Sequence, residues 1–156
     1  GELDPSVDLN ALEINREKYY SPRQMAERLK RFRFGFWSRE EFDTVVWNLQ
    51  NFQGKVDTEI QKLDDLRGNK TDLMVQKLSH NLKLNFELNW PIFEGGEKTR
   101  FTVEVIIDYK DSKTICSLSS IDLIDLEKQL SGQMVAEALK GFGSDLAIVR
   151  IANPEQ

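Results

Sequence analysis

The sequence predicts an α+β fold: two N-terminal helices, an antiparallel β-meander of three or more strands, one helix packed on the sheet, and a final C-terminal strand. Three observations predict it. Apolar residues recur at three- and four-residue spacing from Met25 to Phe52, alternate with polar residues from Leu82 to Leu118, and return to helical spacing from Leu123 to Ala138. Each segment must bury its apolar side, and a single sheet covered by helices does so.

Residues 1–19 have no strong period and contain Pro5, so they read as an N-terminal arm. Ser21-Pro22 then opens a helix, with serine at the cap and proline in the first turn. Met25, Leu29, Phe32 and Phe36 form its apolar stripe, and Gly35 is expected to end it. Ser38-Arg39-Glu40-Glu41 has the capping-box form and opens a second helix whose Phe42, Val45, Val46, Leu49 and Phe52 keep helical spacing. The pattern extends through Val56, Ile60, Leu63 and Leu66 as one long helix. Against that, Asn48, Asn51, Gly54, Asp57 and Thr58 are poor helix formers, and Val56, Thr58 and Ile60 alternate as a strand would. The composition therefore favours helix to about residue 51, then a strand or irregular segment.

Asp64 to Lys70 reads as a turn, with Gly68 and Asn69 suited to positive φ. Leu82, Leu84, Phe86, Leu88 and Trp90 alternate with Lys83, Asn85, Glu87 and Asn89, the pattern of a strand with one buried face. Pro91 and Glu94-Gly95-Gly96-Glu97 turn the chain into a second strand, Phe101 to Tyr109, and a turn over Asp108 to Lys113 leads to a third, Thr114 to Leu118. Ser119 or Ser120 caps a third helix whose Leu123, Leu126, Leu130, Met134 and Ala138 would face the sheet, ended by Gly141 and Gly143. Leu146 to Ile151 is the expected last strand. Residues 20–152 thus read as one domain and 153–156 as a tail.

The chain has 156 residues, 40% hydrophobic and 30% charged, a globular composition of single-domain size. No apolar stretch approaches the roughly 20 residues that cross a bilayer, and Gly1-Glu2-Leu3-Asp4 lacks a signal-peptide pattern, so a cytoplasmic protein with no membrane partner is expected. The absence of Met at position 1 leads us to expect a natural chain that extends upstream. One cysteine, Cys116, allows no intrachain disulfide and reads as a small buried hydrophobe. With a single histidine, His80, no Cys/His zinc site can be assembled, and no motif implies a cofactor.

Charge is uneven along the chain. Residues 16–39 hold eight Lys/Arg against Glu17 and Glu27, net +6, while the whole chain is net −5. Within this block cations and aromatics alternate, which can neutralise phosphates and offer rings to unpaired bases. Arg23, Arg28, Lys30, Arg31 and Arg33 are the expected phosphate contacts, and Phe34, Phe36 and Trp37 the expected stacking rings. The same residues also fit a solvated cationic face whose aromatics pack the helix onto the sheet.

Three other constellations carry less. His80 and Cys116 could form a base–nucleophile pair, but no local signature of a cysteine hydrolase surrounds Cys116. Asp108-Tyr109-Lys110 resembles the acid-x-Lys element of metal-dependent nucleases, with Glu94, Glu97 or Glu104 as companion acid. Glu104 and Asp108 equally fit the polar face of a strand. Asp64-Asp65 lacks the ligand spacing of a calcium loop.

Asp65-Leu66-Arg67-Gly68-Asn69-Lys70, Ser79-His80-Asn81 and Phe86-Glu87-Leu88-Asn89-Trp90-Pro91-Ile92-Phe93-Glu94-Gly95-Gly96-Glu97 together resemble uncharacterised phage and prophage proteins of the YfdQ-like family, over residues 40–152. The resemblance implies a phage-associated protein, in the host cytoplasm, and carries no site residue. The sequence thus points to a binding module rather than an enzyme, with single-stranded nucleic acid as the named partner. The alternative is an assembly domain whose basic helix meets an acidic protein or a second copy of this chain.

Overall fold

The computed structural model describes residues 8–62, 68–93 and 95–141. Its elements are α1 (Pro22–Lys30), α2 (Arg39–Gln61), α3 (Gly68–His80), β1 (Asn85–Pro91), β2 (Lys98–Lys110), β3 (Lys113–Ser119) and α4 (Ile121–Gly141). The fold is α+β as the periodicities require. The chain divides after Asp122 into two compact units, the second described through α4.

The sheet runs β1-β2-β3, antiparallel throughout. Its register sets Phe86 opposite Val103, Leu88 opposite Phe101, Val105 opposite Leu118 and Ile107 opposite Cys116, so the apolar partners share one face, and all are buried. Helices α1, α2 and α3 lie against β3, β1 and β2 respectively. The core joins that face to Met25, Ala26 and Leu29 of α1, to Phe42, Val45, Leu49, Phe52 and Val56 of α2, and to Val75 of α3. Each fully buried side chain of this size contributes about 1.5–3 kcal/mol by leaving water.

Ser21 caps α1 as expected. Its hydroxyl accepts from the Gln24 amide while the Gln24 side chain accepts from the Ser21 amide. The helix ends at Lys30, earlier than Gly35. The Arg31 amide bonds back to the Arg28 and Leu29 carbonyls, Phe32 leaves helical geometry, and Arg33–Gly35 forms a 3-10 turn. Phe36 is then extended and bridges Leu88. Gly35 is therefore no helix stop. A Cβ there would stand 1.8 Å from Cε3 of Trp90, so glycine is what lets the turn close over the indole.

Helix α2 begins at Ser38 as expected but continues to Gln61, which overturns the strand or irregular segment expected after residue 51. Propensity loses to burial here: Phe52 and Val56 are fully buried on the same stripe as Phe42 and Leu49. Of the weak helix formers, Asn48 donates outside the helix to the Lys83 carbonyl at 2.9 Å, and others bond within it. Asn51 donates to the Trp47 carbonyl at 2.8 Å, Thr58 to the Gly54 carbonyl at 2.9 Å, and Gln53 to Asp57 at 2.9 Å.

Gly68, Asn69 and Lys70 begin α3 where a turn was expected, and residues 64–67 of that stretch lie outside the described residues. The first strand starts at Asn85 rather than Leu82, with the Leu84 carbonyl already accepting from the Val105 amide. The turn expected over Asp108 to Lys113 narrows to Asp111-Ser112, both at positive φ (53° and 61°), so Asp108-Tyr109-Lys110 belongs to β2. Positive φ at both central residues is the hairpin geometry that glycine accepts without a Cβ penalty. Ser112→Gly should therefore raise stability by about 1 kcal/mol, measured by urea denaturation; a loss would mean that the hairpin does not use this turn.

Residues 8–20 are more than an arm. Leu9, Leu12 and Ile14 are buried, the Asn15 amide donates to the Leu118 carbonyl, and Tyr20 pairs with Cys116 by two backbone bonds of 2.7 and 2.9 Å. Helix α4 forms over the predicted residues. Its Leu123 is buried, Leu126 and Leu130 are half-buried, and Ala138 is exposed. The strand expected at 146–151 lies outside the described residues. No described helix is long and apolar enough to cross a membrane.

Candidate functional site

The basic block folds as α1, the 3-10 turn and the entry to α2, and its side chains divide into structural and surface groups. Arg28 is structural. Its Nη2 donates to the Ala11 carbonyl at 2.6 Å and to Glu13 at 2.9 Å, and its guanidinium carbon lies 4.2 Å from the centre of the Tyr20 ring. The Tyr20 hydroxyl donates to the same Glu13 carboxylate, a bond that holds the phenol's pKa above its ordinary value. Arg28 thus clips residues 11–20 to α1, and it is withdrawn from the set of surface cations that the sequence suggested.

Arg23, Lys30, Arg31 and Arg33 are exposed. Lys30 reaches Glu27 of its own helix at 2.8 Å, a surface pair of small net value. Arg33 lies over the ring of Phe34, 4.7 Å from its centre.

The three candidate rings separate cleanly. Phe34 is 46% exposed and Trp37 is 52% exposed, whereas Phe36 is 8% exposed. Phe36 stacks on Phe86 with ring centres 4.5 Å apart and meets Phe42 edge-on at 4.9 Å. It is a core residue, as its place on the apolar stripe of the helix predicts, and leaves Phe34 and Trp37 as the candidate rings. Phe32, 5.2 Å from the Trp90 ring, is buried as its place on the stripe requires.

Sequence reasoning missed Arg100. This β2 residue puts its guanidinium carbon 4.0 Å from the centre of the Trp37 ring, and its Nε and Nη2 donate to Glu87 of β1 at 2.9 and 2.7 Å. Glu87 sits opposite Thr102, so it reaches Arg100 diagonally across the pair. The bidentate bond holds the Glu87 carboxyl below its ordinary pKa and raises that of Arg100. Beside it, the Glu87 amide donates to Glu41 at 2.7 Å, and Glu41 pairs with Lys83 at 3.0 Å. Two exposed rings, Phe34 and Trp37, thus each carry a guanidinium over one face.

The other constellations are not assembled as the sequence allowed. Cys116 is buried and its thiol donates to the Tyr20 carbonyl. Burial pushes its pKa up to about 12, so it stays protonated near neutrality and is no nucleophile. His80 is exposed at the end of α3. Asp108 accepts from Gln76 at 3.2 Å, and among the described residues no three of His, Cys, Asp or Glu gather where they could hold a metal ion. No family model, curated protein or solved structure matches this chain.

Proposed function

We propose that this chain is a non-enzymatic module that binds single-stranded nucleic acid through Arg23, Lys30, Arg31, Arg33, Phe34 and Trp37. One observation carries the reading: Phe34 and Trp37 stand in solvent under guanidinium groups while Phe32 and Phe36, their neighbours in sequence, fill the core. Leaving two large rings half-exposed beside several cations forgoes burial energy, and base stacking recovers it, at about 1–3 kcal/mol per base. Unpaired bases suit such a surface because it offers flat rings rather than an element shaped for a groove. The acidic remainder of the chain opposes nucleic acid at long range, so contact depends on this patch and weakens with salt. The phage-protein resemblance lends no residue to it.

Fluorescence anisotropy with a labelled single-stranded oligonucleotide tests the proposal. At about 50 mM salt the expected dissociation constant is micromolar or weaker, typical of sequence-independent contact. The double variant Arg31→Glu, Arg33→Glu should weaken binding at least tenfold. It should also reduce the slope of log K against log salt by about 1.4, the share of two phosphate contacts on a single strand. Arg28 is left intact in this test because its loss would unclip the N-terminal segment. Absence of binding by the parent protein at that salt would end the proposal, and salt-sensitive self-association seen by sedimentation would favour the assembly reading in its place.

A further inference from the structure

Arg100 differs from the other cations of the patch. Its charge is met by both oxygens of Glu87, and Glu87 is itself held at two backbone points, its carbonyl accepting from the Trp37 amide at 2.9 Å and its amide donating to Glu41. A guanidinium so paired has little charge left for a phosphate, but it has a fixed plane. Its carbon lies over the indole of Trp37, 4.0 Å from the ring centre, and the Trp37 backbone is tied to the same glutamate. Trp37 is thus held from below by one side chain and from the side by one strand, and it still leaves half its surface in solvent.

We infer that Arg100, anchored by Glu87, is a positioning residue that closes one face of Trp37 and fixes the indole as a one-sided platform for a single unpaired base. The inference rests on the nucleic-acid reading and deepens it by assigning different work to the cations. Arg31 and Arg33 meet phosphates, whereas Arg100 meets the ring. Preorganising the ring removes the ordering cost that a free tryptophan would pay on binding.

The test uses the full chain carrying Trp47→Phe. Trp47 is 58% exposed and Trp90 is 3% exposed, so Trp37 is then the tryptophan that quencher reaches. In this background Arg100→Gln should weaken oligonucleotide binding about tenfold, the size of one lost stack, and leave the salt slope unchanged. Acrylamide quenching of the free protein should rise, because one face of the indole has been uncovered. Arg33→Gln should behave differently, lowering the salt slope by about 0.7. Adding Arg100→Gln to Trp37→Ala should cost no further affinity. Arg100 sits at the surface, so thermal melting should be nearly unchanged in each variant. Parent-like affinity for Arg100→Gln, or a slope that falls as for Arg33→Gln, overturns the inference while the wider proposal stands; a parent that binds no oligonucleotide overturns both.

Discussion

Gly35→Ala should lower stability by about 3 kcal/mol, read as a fall of about 10 °C in melting temperature. The added methyl would lie 1.8 Å from Cε3 and 2.0 Å from Cζ3 of Trp90. No side chain tolerates such contacts, so either the indole or the 3-10 turn must move. The indole is held in the core against Phe32, and the turn is held by the Phe36 bridge to Leu88. Displacing either opens the packing of Trp90 against Phe32. An unchanged melting temperature would mean that Trp90 and the turn do not meet.

The second large effect is a contrast between neighbouring phenylalanines. Phe36→Ala should cost about 3–5 kcal/mol, because it empties a site enclosed by Phe42, Phe86 and Leu88. Phe34→Ala should change stability by no more than about 0.5 kcal/mol, since nearly half of that ring is already in water. On the proposed function the order reverses for binding: Phe34→Ala weakens the oligonucleotide complex and leaves the fold alone. Urea denaturation and anisotropy on the same two variants measure both halves. Equal stability losses would contradict the division of these rings into core and surface.

The two hairpins were legible because alternation and turn composition agree there. Phe86, Leu88, Val103 and Val105 had to share a face whatever packed against it. The start of α1 was equally plain, since Ser21-Pro22 carries its own capping chemistry. The far half of α2 was not, because its local preferences point away from helix. The apolar spacing did run on through Val56 and Ile60, and the burial of Phe52 and Val56 against the rest of the core is what decides for helix. Helix α3 was missed for a related reason: Gly68-Asn69 reads as a turn, and among the residues of the helix whose burial is described only Val75 is fully buried. Phe36 could be read as core from its place on the apolar stripe, whereas the break of α1 at Lys30 depends on Trp90 packing under Gly35. Arg100 could not be connected to Trp37 at all, since their meeting requires the β1–β2 register and the bridge of Phe36 to Leu88.

That bridge also matters for how copies of the chain can meet. Along β1 the outward amide and carbonyl of Glu87 are taken by Glu41 and Trp37, and along β3 those of Cys116 are taken by Tyr20, with the Leu118 carbonyl taken by Asn15. The middle of each outer strand therefore has no open ladder on which a strand from another molecule could start. Association by strand addition, the route to ordered fibrils, is closed at these positions by segments of the same chain. Any complex the protein forms there must be made through side chains, whose charges respond to salt, rather than through an extended sheet, whose backbone bonds would not.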